Sequence, residues 1–344
     1  MRQATATFSR RRLQGAQIEG APYQLGDVVC GRYEIRDAFS EGPVGIVFRA
    51  YDREIDIEVA LKVVNARLVQ TPEERKQFAR LMRLARKLSH QNLIRVYEEG
   101  EDQDRPFYTM QVLEGLTLRK IIDLRIGKGE FFKLGEIEPI LGQIAHAMDA
   151  AHKLGPHGNL KPENVIVLPD LLKVGDYGLS LGIPRLPFVQ AVRQRKADRY
   201  LAPEYVAGGE VDQRADIYAL GVIVGEMLSG LTPDESIPEL IRLNPEVPPA
   251  LEGLYRRSTN SNPLVRPKTA SEFFDEFVDI SRRVSPPPLK TRPELAAVPA
   301  VPRPRTPGTT PTVELRKRNV ESPPPPPPVL VPVVPGPPSD LTQP

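Results

Sequence analysis

The alternation of polar and apolar positions changes rhythm once along the chain. Between Tyr33 and Val112 short β-branched or aromatic runs recur, at Val44 to Phe48, Val59 to Val64, Leu93 to Tyr97 and Phe107 to Val112. Runs of this length and composition predict strands. One basic amphipathic helix interrupts them, from about Pro72 to Ser89, with Phe78, Leu81, Leu84, Ala85 and Leu88 on one face. After Glu114 the period is mostly helical. Ile140, Ile144, Met148 and Ala151 form one stripe, and Ile217 to Leu228 is apolar nearly all round, as in a helix at the centre of a lobe. Short strands are expected at Val165 to Val167 and Leu171 to Val174. The pattern predicts an α+β chain with a small sheet-rich lobe, a larger helical lobe, and a ligand cleft between them.

Composition sets the boundaries. Of the last 60 residues, 285–344, 20 are proline, including the run Pro323 to Pro328. One proline in three excludes helix and sheet and predicts an extended tail with polyproline II stretches. Residues 1–30 are polar, basic and aperiodic, and are expected to be a flexible segment. The folded domain is expected over residues 31–284, with a first lobe at 31–113 and a second at 114–284. Lys plus Arg against Asp plus Glu is 46 − 44 = +2, so overall charge does not point to nucleic acid or a membrane surface. The single cysteine, Cys30, cannot form an internal disulfide and reads as a small packed residue at a strand edge. It fits a reducing compartment. No apolar run has the length of a signal peptide or a membrane span, so a cytoplasmic location is expected.

The candidate chemistry begins with Ser40-Glu41-Gly42-Pro43-Val44-Gly45-Ile46-Val47, between two strand-like runs. Glycines there let backbone amides approach phosphate, although a plain hairpin turn has the same composition. In Val59-Ala60-Leu61-Lys62 a lysine sits on an apolar strand, where it needs an anion or a route to the surface. His157-Gly158-Asn159-Leu160-Lys161-Pro162-Glu163-Asn164 follows, then Asp176-Tyr177-Gly178, Ala202-Pro203-Glu204, Asp216-Ile217-Tyr218-Ala219-Leu220-Gly221 and Arg266-Pro267. In order and spacing these motifs resemble the eukaryotic-type Ser/Thr protein kinases, the bacterial members most of all. The resemblance covers about residues 31–284 and implies a bilobal protein-kinase-like fold.

The resemblance also implies roles. Gly42 and Gly45 match the second and third glycines of the phosphate-covering loop, with Ser40 at the first. Lys62 matches the lysine that holds the α and β phosphates. Val47, Ala60 and Ile166 match positions that line the nucleotide, Met110 the gatekeeper, and Gln111 to Leu113 the hinge whose backbone receives adenine. Asn164 and Asp176 match the two magnesium ligands, so ATP and Mg2+ are the implied cofactors. Lys161 matches the lysine that neutralises the transferred phosphate. Glu204 and Arg266 match an ion pair that ties the activation segment down, and Asp216 the aspartate that braces the catalytic loop.

The departures from the family pattern agree with one another. Asn159 stands where the general base should be, and an amide cannot take the hydroxyl proton, a loss on the order of 10² to 10⁴ in rate. Leu81 stands where the helix glutamate should pair with Lys62, and no carboxylate occurs between Glu74 and Glu98. Gly158 removes the arginine that would receive an activating phosphate. Ser180 carries the only non-tyrosine hydroxyl between Asp176 and Glu204. That segment, with Arg185, Arg193, Arg195, Lys196 and Arg199, is expected as a solvated charged loop or a dock for an acidic partner. His146, His152 and His157 lack zinc-ligand spacing.

Together these features predict a pseudokinase. It would bind Mg-ATP and regulate or scaffold a protein partner such as an active Ser/Thr kinase. The alternative is a weakly active Ser/Thr kinase. The proline-rich tail, with Thr306, Thr309, Thr310 and Thr312, suits an SH3-like groove or, once phosphorylated, a phosphothreonine-reading domain.

Overall fold

The computed structural model describes residues 20–194, 198–233 and 237–284. The predicted proline-rich tail lies outside them, as do Arg195 and Lys196. The first lobe is built on β1 (Val28–Val29), β2 (Tyr33–Glu41), β3 (Gly45–Asp52), β4 (Ile57–Val64), β5 (Val96–Asp102) and β6 (Arg105–Met110). These pair antiparallel in the order β1-β2-β3-β4-β6-β5. Three strands begin or end within a few residues of the apolar runs that predict them. β2 is additional: only Tyr33 and Ile35 keep the buried alternation before register shifts at Ile35/Asp37 and Ala38/Ser40 break it. Leu93 and Ile94 do not belong to β5. They turn to the second lobe, where the Ile94 amide donates to Val174 O at 2.9 Å.

The folded region starts earlier than residue 31. Tyr23 is buried edge-on against Phe48, its hydroxyl donates to Asp102 Oδ2 at 2.7 Å, and Val29 is fully buried. Cys30, expected as a packed residue, is exposed instead, in a left-handed turn with φ 51°.

Helix α1 (Pro72–Arg86) starts at a capping box, in which Thr71 Oγ1 accepts from the Glu74 amide and Glu74 reaches back to the Thr71 amide. Its buried face is Phe78, Met82 and Ala85. Leu81, expected in the core stripe, is half-buried, because the helix is turned so that Met82 faces inward.

The second lobe contains β7 (Leu116–Thr117), α2 (Leu118–Ile126), α3 (Leu134–Ala151), β8 (Val165–Val167), β9 (Leu172–Val174), α4 (Leu179–Gly182), α5 (Arg185–Gln194), α6 (Pro203–Ala207), α7 (Arg214–Ser229), α8 (Leu240–Leu243), α9 (Pro249–Ser258) and α10 (Ala270–Val284). Every residue of α7 from Ala215 to Ser229 is buried, as its all-round apolar pattern requires. Two glycines let α9 approach it. A Cβ on Gly225 would stand 2.5 Å from the Tyr255 ring, and one on Gly221 would stand 2.3 Å from Ser258 Oγ. Below the cleft Arg266 Nη1 and Nη2 donate to Glu204 at 2.6 and 2.8 Å, with the guanidinium fully buried. The pair fastens α6 to the loop before α10.

Gly225→Ala is expected to destabilise the domain by about 1 to 3 kcal/mol through overpacking. Urea unfolding reads this as a lower midpoint with an unchanged slope.

Candidate functional site

The sheet register places the first half of the site. In β4, Lys62 lies opposite Val47 of β3 and Tyr108 of β6, and Ala60 lies opposite Met110. Directly paired antiparallel residues point to one face, so this column of side chains faces the cleft. Gly45 is fixed by β4: a Cβ there would meet Val63 O at 2.0 Å. Gly42 closes the turn, its amide donating to Gly45 O at 2.9 Å, and a Cβ on it would meet only Gly45 O, at an ordinary 3.7 Å. Of the expected hinge residues, Gln111 spends its amide on Arg95 O, while Val112 and Leu113 run on past the end of β6.

The second half hangs from one carboxylate. Asp216, 1% exposed at the start of α7, accepts from the His157 amide at 2.7 Å and the Gly158 amide at 2.8 Å, and meets His152 Nε2 at 2.9 Å. Burial pushes its pKa up, but these hydrogen bonds and the nearby imidazoles outweigh burial and hold it below the usual carboxylate range. His157 Nε2 in turn meets Gly175 O at 2.9 Å, which links the loop to the segment carrying Asp176. Burial lowers the pKa of His157 and so favours the neutral ring.

Gly158 has φ +68°, and a Cβ on it would stand 2.5 Å from Ser180 Oγ. Ser180 closes over the loop by donating to His157 O at 2.9 Å. Asn159 is 3% exposed, and its side-chain nitrogen has no hydrogen-bond partner among the described residues. Its carbonyl accepts from Asn164 Nδ2 at 2.8 Å. Lys161, 4% exposed, makes no ion pair among the described residues, and burial lowers its pKa.

Asp176 joins the two halves. Its Oδ2 takes the Lys62 ammonium at 2.5 Å, and its Oδ1 accepts from the Tyr108 hydroxyl at 2.8 Å. Burial raises the Asp176 pKa, and the Lys62 charge with these two hydrogen bonds more than reverses that, leaving it below the normal range. The residue has φ 65°, in the left-handed region. Tyr177 packs edge-on against His157, 6.0 Å between rings, so it points down into the second lobe. Leu81 offers no charge to Lys62. Instead Gly178 and Gly182 bring α4 against α1, with a Cβ at Gly182 only 3.1 Å from Phe78.

The segment after α4 is not the solvated loop expected from its charge. α5 buries Phe188, Val189 and Val192 in one cluster with Leu68, Phe78, Leu201 and Tyr205. Its basic residues are engaged at the rim: Arg185 stacks on Tyr205 and donates to Gly209 O, and Arg193 pairs with Asp198. In the sequence, the spacing of Phe188, Val189 and Val192 carries the helix, against the solvated reading that the arginines suggest. Tyr108 carries little signal in the sequence. Its only sequence mark is a hydroxyl on an apolar strand, two residues before Met110.

The donor chemistry fits a hard divalent cation. Asn164 turns its nitrogen to Asn159, which leaves its amide oxygen free of hydrogen bonds among the described residues, and Asp176 is ionised. No group of three or more His, Cys, Asp or Glu is placed to hold a metal among the described residues. A cation here would therefore share its coordination with phosphate oxygens and water.

The depressed pKa of Asp216 has a consequence for stability. A carboxylate with a lowered folded-state pKa stabilises fully above its unfolded value and loses that contribution as pH falls through the folded one. Asp216→Asn is expected to cost about 3 kcal/mol at pH 7, since it removes the charge from these hydrogen bonds. The gap to the unsubstituted protein should narrow below about pH 4, as urea titrations across pH would show.

Comparison with known proteins bears on the same arrangement. The protein kinase domain family matches residues 33–281. Serine/threonine-protein kinase PknL of Mycobacterium bovis is 31% identical over 251 residues, covering 68% of this chain and 62% of PknL. Serine/threonine-protein kinase pkn3 of Myxococcus xanthus is 30% identical over 327 residues, 85% of this chain and 58% of pkn3. PrkC of Bacillus subtilis is 28% identical over 263 residues, 72% of this chain and 40% of PrkC. The chain thus spans between 40% and 62% of the length of these relatives. The PknI kinase domain of Mycobacterium tuberculosis superposes with a TM-score of 0.64 at 25% identity, covering 75% of this chain and 99% of that domain. No helix among the described residues is long and apolar enough to cross a membrane. With its bilobal fold and cleft, this chain belongs to the protein kinase domain family, and the relatives it resembles are bacterial serine/threonine-protein kinases.

Proposed function

We propose that this chain is a kinase-fold regulator that binds nucleotide in the interlobe cleft and transfers phosphate poorly or not at all. One observation carries the reading: Asn159, at the base position, is a buried amide in a loop otherwise held as a working catalytic loop would be. Phosphoryl transfer depends mostly on positioning and charge, but the acceptor hydroxyl still has to lose its proton. Asn159 can orient that hydroxyl and cannot accept the proton. The unpaired Leu81 and the pairing of Lys62 with Asp176 support the same reading.

Nucleotide binding rests on Lys62, Asn164 and Asp176, with Gly42 and Gly45 in the covering turn and Val47, Ala60, Met110, Leu113 and Ile166 around the base. When bound, Mg2+ would screen the phosphate charge. The protein's own part is to supply the Asn164 oxygen and the Asp176 carboxylate and to hold Lys62 beside the phosphates. A protein partner, such as an active Ser/Thr kinase of the same class, would read the domain surface. The tail from residue 285 would offer proline-rich and threonine-containing docking segments.

The second reading, a slow kinase, is favoured by the intact Asp216 brace, the Glu204–Arg266 pair and a buried Lys161 that makes no ion pair among the described residues. Transfer of the γ-phosphate from ATP to protein separates the two. The expected result is transfer at least about 10² below the roughly 1 to 100 per second of working kinases, with Lys62→Met as the control. Lysine-dependent transfer at ordinary rates would sink the regulator reading. Thermal-shift titration with ATP is expected to raise the melting temperature in a saturable way, and no shift would remove nucleotide from the proposal.

A further inference from the structure

The partner of Lys62 is supplied from an unusual direction. Tyr108 lies directly across from Lys62 in the β4–β6 ladder, so the two side chains rise side by side from one face of the sheet. Both end on Asp176, one on each carboxylate oxygen. Tyr108 is 1% exposed, its ring tilted against Phe78 at 6.4 Å between centroids. A hydroxyl buried that deeply needs a partner, and Asp176 is the one it has among the described residues. Burial, followed by the Asp176 charge, pushes its pKa well up, so it stays protonated and donates.

Helix α1 offers nothing in exchange. The face it turns inward is Phe78, Met82 and Ala85, and no carboxylate lies between Glu74 and Glu98. Behind Met110 only a cavity of about 10 Å³ is left, bounded by Leu88, Val96, Tyr108, Asp176 and Tyr177, room for one water at most. Lys62, Asp176 and Tyr108 therefore form a set in which the two charges meet and the buried hydroxyl has its acceptor.

We propose that Tyr108 is a positioning residue for Asp176: its hydroxyl holds the carboxylate against the Lys62 ammonium, so a divalent cation must open this set before it can use Asp176 as a ligand. Nucleotide recognition in the cleft consequently depends only weakly on the divalent cation. This second statement rests on the nucleotide-binding reading given above; the tether itself does not.

Tyr108→Phe keeps the ring and removes the hydroxyl, and two measurements on the full chain test the proposal. The first is mass-spectrometric labelling of Lys62 by an amine-acylating reagent without nucleotide. A loosened carboxylate should raise its rate roughly tenfold, the scale of a lost hydrogen bond to a charged group. Buried Lys161 is the internal control. An unchanged Lys62 rate, or an equal rise at Lys161, overturns the tether, the latter by showing general loosening.

The second measurement is calorimetric titration with ATP in MgCl2 and in EDTA. The unsubstituted protein should show less than about a threefold effect of Mg2+ on Kd, and Tyr108→Phe a roughly tenfold one, on the same hydrogen-bond scale. Equal Mg2+ dependence in the two proteins overturns the cation statement. If neither protein binds ATP, the nucleotide reading falls and takes the cation statement with it, while the labelling ratio still decides the tether.

Discussion

The cleft is organised around a carboxylate that never reaches it. Asp216 sits at the first turn of a helix with no exposed side beyond that turn, and its two oxygens fix the backbone of His157 and Gly158. The core of the second lobe thereby sets the position of the catalytic loop. His157 passes the constraint on by hydrogen-bonding Gly175 O, one residue before Asp176. The chain of contacts runs from core helix to loop to the acidic residue under the sheet. Because each link is buried and hydrogen-bonded, it keeps the geometry of a working site whether or not the chemistry follows.

The chemistry departs where side chains, not backbone, do the work. Asn159 is buried in the loop that Asp216 holds, and it brings an amide there where a carboxylate could act as a base. Leu81 leaves α1 without a charge to offer, and the space between helix and sheet is filled by the Tyr108 ring and by α4. With no carboxylate on the inward face of α1, Lys62 must find its anion elsewhere in a low-dielectric pocket, and Asp176 is within reach. The apolar face of α1 and the hydrogen bond from Tyr108 thus belong to one electrostatic arrangement.

Much of this was legible in the sequence, and the exceptions have physical causes. The core helix α7 reads directly because its apolar character runs all round. Lys62, Asp176 and Asp216 are marked by charge in apolar surroundings, a costly and therefore informative placement. β2 is obscured by two register shifts that interrupt its alternation. The α5 helix is hidden because its basic residues suggest solvent, while three apolar side chains at helical spacing decide its burial. Tyr108 carries little signal in the sequence, because tyrosine is common in strands. Its importance comes from standing across from Lys62, a relation that only the strand register reveals.

Gly158 shows how far the loop has settled into its present form. Its backbone is left-handed, and Ser180 lies where a side chain would begin. Any larger residue there must push Ser180 aside and break its bond to His157 O, the atom that seals the loop. An arginine at this position would therefore cost stability unless Ser180 changed with it. Position 158 is thus held to glycine by its neighbour as well as by its own backbone, and the loop's rigidity comes with a narrow choice of residue.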